Sequence, residues 1–223
     1  MQTTLHAVRL AGLAVTTGPL VRDFLADGLA AGQEPGALER TARTVGLRRR
    51  LVAAPGQTAL DLCADAATRL LAACPEAAAQ VDAVIFVTQT PDHAQPNNAS
   101  LLHGRLGFAR TVAAYDVALG CSGWVYGLQQ AALLCADGGA RSVLLCAGDT
   151  LSRSTNPRDR ATDPLFGDAG SATLVVRDPA AGPWHFVLGT DGARARVIEV
   201  PGGGARSPRG AEPWVEHANA DGN

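Results

Sequence analysis

The stretch Thr111-Val-Ala-Ala-Tyr-Asp-Val117, then Ala118-Leu-Gly-Cys-Ser-Gly123, then Trp124 to Ala136, sets an apolar run, a glycine-bracketed cysteine turn and a second apolar run end to end. The first run is short and rich in small and branched residues, as in a strand covered on both faces. The second is long enough for a helix, from about Cys121 to Ala136, with Gly138-Gly139 to close it. A cysteine at such a strand-to-helix junction sits where free backbone N–H groups and the positive end of the helix dipole favour a thiolate. Gly120 and Gly123 allow a sharp turn and leave room for a substrate beside the sulfur. Position alone leaves Cys121 divided between a nucleophile and a buried structural thiol.

The same alternation extends outward. Val81–Thr88 (VDAVIFVT), Ser142–Ala147 and Ser171–Val176 read as further strands, and Val197–Val200 as one more. Thr58-Ala-Leu-Asp61 matches a capping box, after which Leu60, Cys63, Ala67, Leu70 and Cys74 recur at helical spacing until Pro75. Another helix is expected from Asn98 to Leu106, closed by Gly107. Strands interleaved with helices predict an α/β fold with a mixed, mostly parallel sheet. Residues 1–200 read as one domain, and 201–223, opened by Gly202-Gly-Gly204, as a loop and polar tail.

Composition narrows the function classes. Of 223 residues, 47% are hydrophobic and 18% charged, which suits a packed core and excludes a disordered chain. A net charge of −2 gives no global reason to bind nucleic acid or an anionic membrane. No window is apolar enough for a membrane span, and no leader pattern precedes Val15. Five cysteines without a CxxC pair point to a reducing compartment, so the expected location is cytoplasmic. Cys63, Cys74, Cys135 and Cys146 fall on apolar faces and read as structural. Arg48-Arg-Arg50 is a solvated run or a contact for an acidic carrier or a nucleotide phosphate.

Uncommon strings around Cys121 add a resemblance. DVALGCSGWVYGL, VLLCAGDTLSR, NPRDR and LFGDAGSATLVV occur in that order, with GLRRRLVAAPGQT and VTQTPDHAQPNNASLLHGRLG before them and LGTDG after. From Val8 to Asp191 the chain resembles the amino-terminal part of the ketoacyl synthase III family. That resemblance implies a thiolase-like fold of αβαβα layers and a homodimer. It implies that Cys121 takes an acyl group from a coenzyme A or acyl carrier protein thioester, with no cofactor. A malonyl thioester then loses carbon dioxide and attacks the acyl group. Arg160 matches the arginine at the nucleotide end of coenzyme A, Gln95 lies on a loop that closes the partner's acyl pocket, and Phe166 begins a turn beside the substrate region.

Residues 36–50 hold no tryptophan to stack on adenine, and Gln95 is polar where an aromatic is common in the family. Secondary-metabolite or polyketide synthesis therefore stands beside fatty acid synthesis. The family's condensing histidine and asparagine belong to a His-Gln-Ala-Asn-like string and a later Asn-rich turn, and neither occurs here. None of His6, His93, His103, His185 or His217 is assigned to that role. Condensation is thus expected to need a second half, in the same gene or another chain. The alternatives are an inactive dimerisation partner of a complete synthase, or an acyltransferase to a non-malonyl acceptor.

Overall fold

A computed structural model describes all residues except 137, 157, 158, 160, 161, 201 and 208–223. Gln2–Val187 form one compact unit, and Met1 with Leu188 onward form a second. Within the first, the elements run β1 (Gln2–Leu5), β2 (Val8–Thr17), β3 (Leu20–Asp23), α1 (Phe24–Ala30), α2 (Pro35–Val45), β4 (Arg49–Val52), α3 (Ala59–Ala73) and α4 (Pro75–Ala78). They continue with β5 (Val81–Val87), α5 (Asn98–Arg105), β6 (Ala113–Val117), α6 (Gly123–Ala136), β7 (Ser142–Asp149), β8 (Ala169–Arg177) and β9 (Trp184–Val187).

The central sheet has the order β2-β8-β7-β5-β6. β5 is parallel to both β6 and β7, whereas β8 is antiparallel to β7 and to β2. The sheet is therefore mixed, as expected, but only two of its four pairings are parallel. The reason lies in the connections: helices carry β5 to β6 and β6 to β7, while the described residues between β7 and β8 form only short turns.

Alternation along the buried strands divides the core. Val84 and Phe86 of β5 pack with Leu144 and Cys146 of β7 against α3 and α5. Ala83, Ile85 and Val87 face the other way with Val143 and Leu145, against Ala131, Ala132 and Cys135 of α6. This α/β/α arrangement buries both faces of the parallel strands, so their sequences read as continuous apolar runs.

Thr58 caps α3 as the sequence predicts, with reciprocal bonds to the Asp61 backbone and side chain. α5 is capped from outside: the Asp116 carboxylate on β6 accepts from the N–H groups of Asn98 and Ala99 at 2.8 and 2.7 Å. The strand expected at Val197–Val200 is absent, and Val197 and Ile198 are 71% and 81% exposed. Among the described residues no strand pairs with this segment, so it gains no ladder. In the second unit the described features are a single turn at Gly192–Arg194 and a bridge between Gly204 and Ser207.

Candidate active site

Three parallel strands end together, and ligand crevices in open α/β sheets form at that carboxyl edge. After β5, the Thr88 N–H donates to the Val117 carbonyl at the end of β6 (3.2 Å). On the other side, Asp149 at the end of β7 gathers the same segment. Its Oδ1 accepts from Thr88 Oγ1, the Gln89 and Thr90 N–H groups and Thr90 Oγ1, at 2.8, 2.7, 3.0 and 2.9 Å. Thr90 Oγ1 also accepts from the Thr150 N–H at 2.9 Å. One carboxylate thus ties residues 88–90 to β7.

Cys121 lies at this edge. β6 ends at Val117, and the Gly123 N–H donates to the Gly120 carbonyl at 2.7 Å to close a turn around Cys121 and Ser122. The Ser122 carbonyl then accepts from Val125 and Tyr126, both at 3.1 Å, which starts α6. Cys121 therefore stands in the turn two residues before α6, not in the helix's first turn as the sequence reading had it. The cause is that the chain must reverse from β6 before the first helical bond can close. Neither the Cys121 nor the Ser122 N–H has a partner among the described residues. Those free donors flank the thiol and can receive a negatively charged oxygen.

Glycines bring α6 this close to the sheet. A Cβ at Gly127 would stand 2.6 Å from a Leu145 methyl, and one at Gly123 would stand 2.5 Å from a Val87 methyl. Side chains there would push the helix, and the turn before it, off β5 and β7.

Cys121 is exposed, whereas Cys63, Cys135 and Cys146 are buried and Cys74 is half-buried. Burial pushes the Cys135 thiol up to about 11, with the Asp82 carboxylate adding to the effect. The Cys146 thiol is also raised, by its hydrogen bond to Cys63 and by burial. Both therefore remain protonated near neutral pH and act as small core residues, as their apolar spacing suggests.

The other sequence candidates are Gln95, Phe166 and Arg160, with the basic run Arg48-Arg-Arg50. Gln95 is exposed on the loop between β5 and α5. Phe166 is half-buried, and its carbonyl accepts from Arg50 Nη1 at 3.2 Å. Arg160 lies outside the described residues. The basic run divides: Arg48 and Arg49 are exposed, but the Arg50 guanidinium pairs with Asp163 at 2.8 Å. A small cavity bordered by Phe24, Asp27, Leu38, Arg50, Asp163 and Pro164 adjoins this pair. Sequence reasoning did not single out Gln89 and Asp149, although both lie inside the quoted strings, because a polar residue at a strand end carries no periodic signal.

Among the described residues no three His, Cys, Asp or Glu side chains converge to hold a metal ion, and no helix is long and apolar enough to cross a membrane. Residues 115–192 match the family model of 3-Oxoacyl-[acyl-carrier-protein (ACP)] synthase III. Beta-ketoacyl-[acyl-carrier-protein] synthase III 3 of Streptomyces coelicolor is 41% identical over 177 residues, covering 77% of this chain and 52% of that protein. The synthase III of Roseiflexus castenholzii is 42% identical over 164 residues, covering 73% of this chain and 49% of the relative. A crystal structure of a 3-oxoacyl-(acyl-carrier-protein) synthase III superposes with a TM-score of 0.86 at 39% identity, over 97% of this chain and 64% of the other. That of the Burkholderia xenovorans synthase gives 0.84 at 34%, over 88% and 56%. The chain spans about half the length of the curated relatives it matches. Over that span it has the thiolase-like fold and the sequence character of the ketoacyl synthase III-type condensing enzymes.

Proposed function

We propose that this chain carries the acyl-loading part of a β-ketoacyl-[acyl-carrier-protein] synthase III-like acyltransferase, with Cys121 as the nucleophile. The observation that carries the proposal is the placement of this exposed thiol at the carboxyl edge of β5, β6 and β7, beside unpartnered N–H groups. The Cys121 sulfur attacks the carbonyl of an acyl-coenzyme A or acyl-carrier-protein thioester. The Cys121 N–H stabilises the oxyanion, and the donor's sulfur leaves as a thiolate that regains the proton Cys121 gave up. The products are acyl-Cys121 and a free thiol.

Condensation follows when a malonyl thioester loses carbon dioxide and its carbanion attacks acyl-Cys121. That step needs groups to hold the carbanion, which a second half supplies. Coenzyme A and carrier-protein thioesters are the substrates, with no resident cofactor. Fatty acid synthesis is the process that the relatives' names support, and the polar Gln95 leaves polyketide or secondary-metabolite synthesis open. Within this reading Arg160 serves the nucleotide end of coenzyme A, Gln95 and Phe166 border the acyl region, the protein works as a homodimer, and it resides in the cytoplasm.

Incubation with acetyl-coenzyme A, followed by intact-mass measurement and peptide mapping, tests the loading step. One acetyl group on Cys121, lost in Cys121→Ala, is expected. Absence of that adduct even when the second half is supplied overturns the proposal.

A further inference from the structure

Gln89 stands beside the nucleophile for a reason that the loading step does not use. A Cβ built on Gly120 would lie 2.4, 2.6 and 2.8 Å from the Oε1, Cδ and Nε2 atoms of Gln89. The carboxamide therefore lies flat against the backbone of the residue before Cys121. Gly120 has no left-handed backbone angle that demands glycine. What its missing side chain provides is the place occupied by the amide.

The Gln89 backbone is held firmly by the Asp149 carboxylate at 2.7 Å, whereas its carboxamide has no hydrogen-bond partner among the described residues. The side chain is exposed, so it carries no packing role in the core. An anchored backbone with an unpaired amide leaves that amide open to a group from outside.

Consecutive Cα atoms are about 3.8 Å apart, so an amide against Gly120 lies beside the residue that neighbours the nucleophile. We infer that the Gln89 carboxamide contacts the acyl group on Cys121 and selects acyl donors bearing an oxygen near the thioester over plain hydrocarbon ones. A hydroxyl there exchanges one hydrogen bond with water for one with the amide. A hydrocarbon displaces that water and offers no hydrogen bond in exchange, the less favourable outcome. The inference rests on Cys121 accepting acyl groups and adds the class of acyl group preferred.

The test compares the rates at which butyryl-coenzyme A and 3-hydroxybutyryl-coenzyme A acylate Cys121, read by intact mass. These donors have equal chain length and differ by one hydroxyl. The wild-type chain is expected to favour the hydroxylated donor by about fivefold or more, the scale of one net hydrogen bond. Gln89→Ala removes the amide, and Gly120→Ala displaces it by occupying its place, so each should bring the ratio close to one. The double variant should change the ratio no further, because both substitutions remove the same contact. Circular dichroism and the thermal midpoint confirm that each variant folds. A wild-type chain without preference, or a preference that survives Gln89→Ala in a folded variant, overturns the inference and leaves acyl loading intact. Failure of both donors to acylate wild-type Cys121, even when the second half is supplied, overturns acyl loading and the inference with it.

Discussion

At the scale of single residues, what matters is how each polar group near the strand ends is satisfied. Asp168 is buried and accepts from the Ala53 N–H at 2.8 Å, the Ser152 N–H at 3.0 Å and Ser152 Oγ at 2.6 Å. It joins the end of β4 to the segment that follows β7. Truncation in Asp168→Ala strands those donors, and a loss of about 2–4 kcal/mol is expected from urea unfolding. The strings around this residue read as a tight turn into a strand, but its role as a shared acceptor depends on partners 115 and 16 positions away. Cys135 gives a pH signature. Its folded thiol titrates near 11 against 9.0 ordinarily. Because folding favours the protonated form, its contribution is fully present below pH 9.0 and is lost as pH rises through about 11. Thermal midpoints measured across that window should fall less steeply in Cys135→Ala than in the wild type.

At the scale of elements, the helices that frame the site differ in how much of their design is local. The α3 cap is set locally, since Thr58 and Asp61 bond each other, and Asp92 and Arg105 only add to it. Thr58→Ala should cost about 1 kcal/mol in chemical denaturation. The α5 cap comes from another element, through Asp116, which the sequence offers only as the residue before a strand's last position. α6 shows a third case. Its glycines sit against Val87 and Leu145, so Gly127→Val should cost about 1–3 kcal/mol by overpacking. The same substitution should slow Cys121 alkylation by iodoacetamide relative to wild type, since the helix start carries the turn. Alkylation at the wild-type rate in a destabilised variant would separate α6 packing from the placement of the thiol.

At the scale of the whole molecule, the first unit leaves apolar surface uncovered. Val125 and Leu133 of α6 are exposed, and so are Leu13 and Val15 of the edge strand β2. Ala14 packs on the α3 side, so strand alternation places Leu13 and Val15 on the face that α6 covers. Helix and edge strand thus expose apolar side chains on one side of the sheet. The folded chain is expected to raise the fluorescence of an apolar dye such as ANS, and the double variant Leu13→Ser, Val125→Ser to lower that response. An equal response from both would show that the dye binds elsewhere.

The sequence by itself determined the elements whose cause is local: the buried strands from their apolar runs, α3 from its capping box, the end of α5 from Gly107, and the turn around Cys121 from flanking glycines. Periodicity and backbone chemistry act over a few residues, so they are visible in a few residues. The sequence also carried the family likeness, because uncommon strings keep their order along the chain. The tertiary structure alone decided the even division of parallel and antiparallel pairs, the coil at Val197–Val200, the pairing of Arg50 with Asp163, and the placement of Gln89, held by Asp149, against Gly120. These features depend on which strand lies beside which, and a polar side chain at a strand end shows its partner only after the sheet has formed.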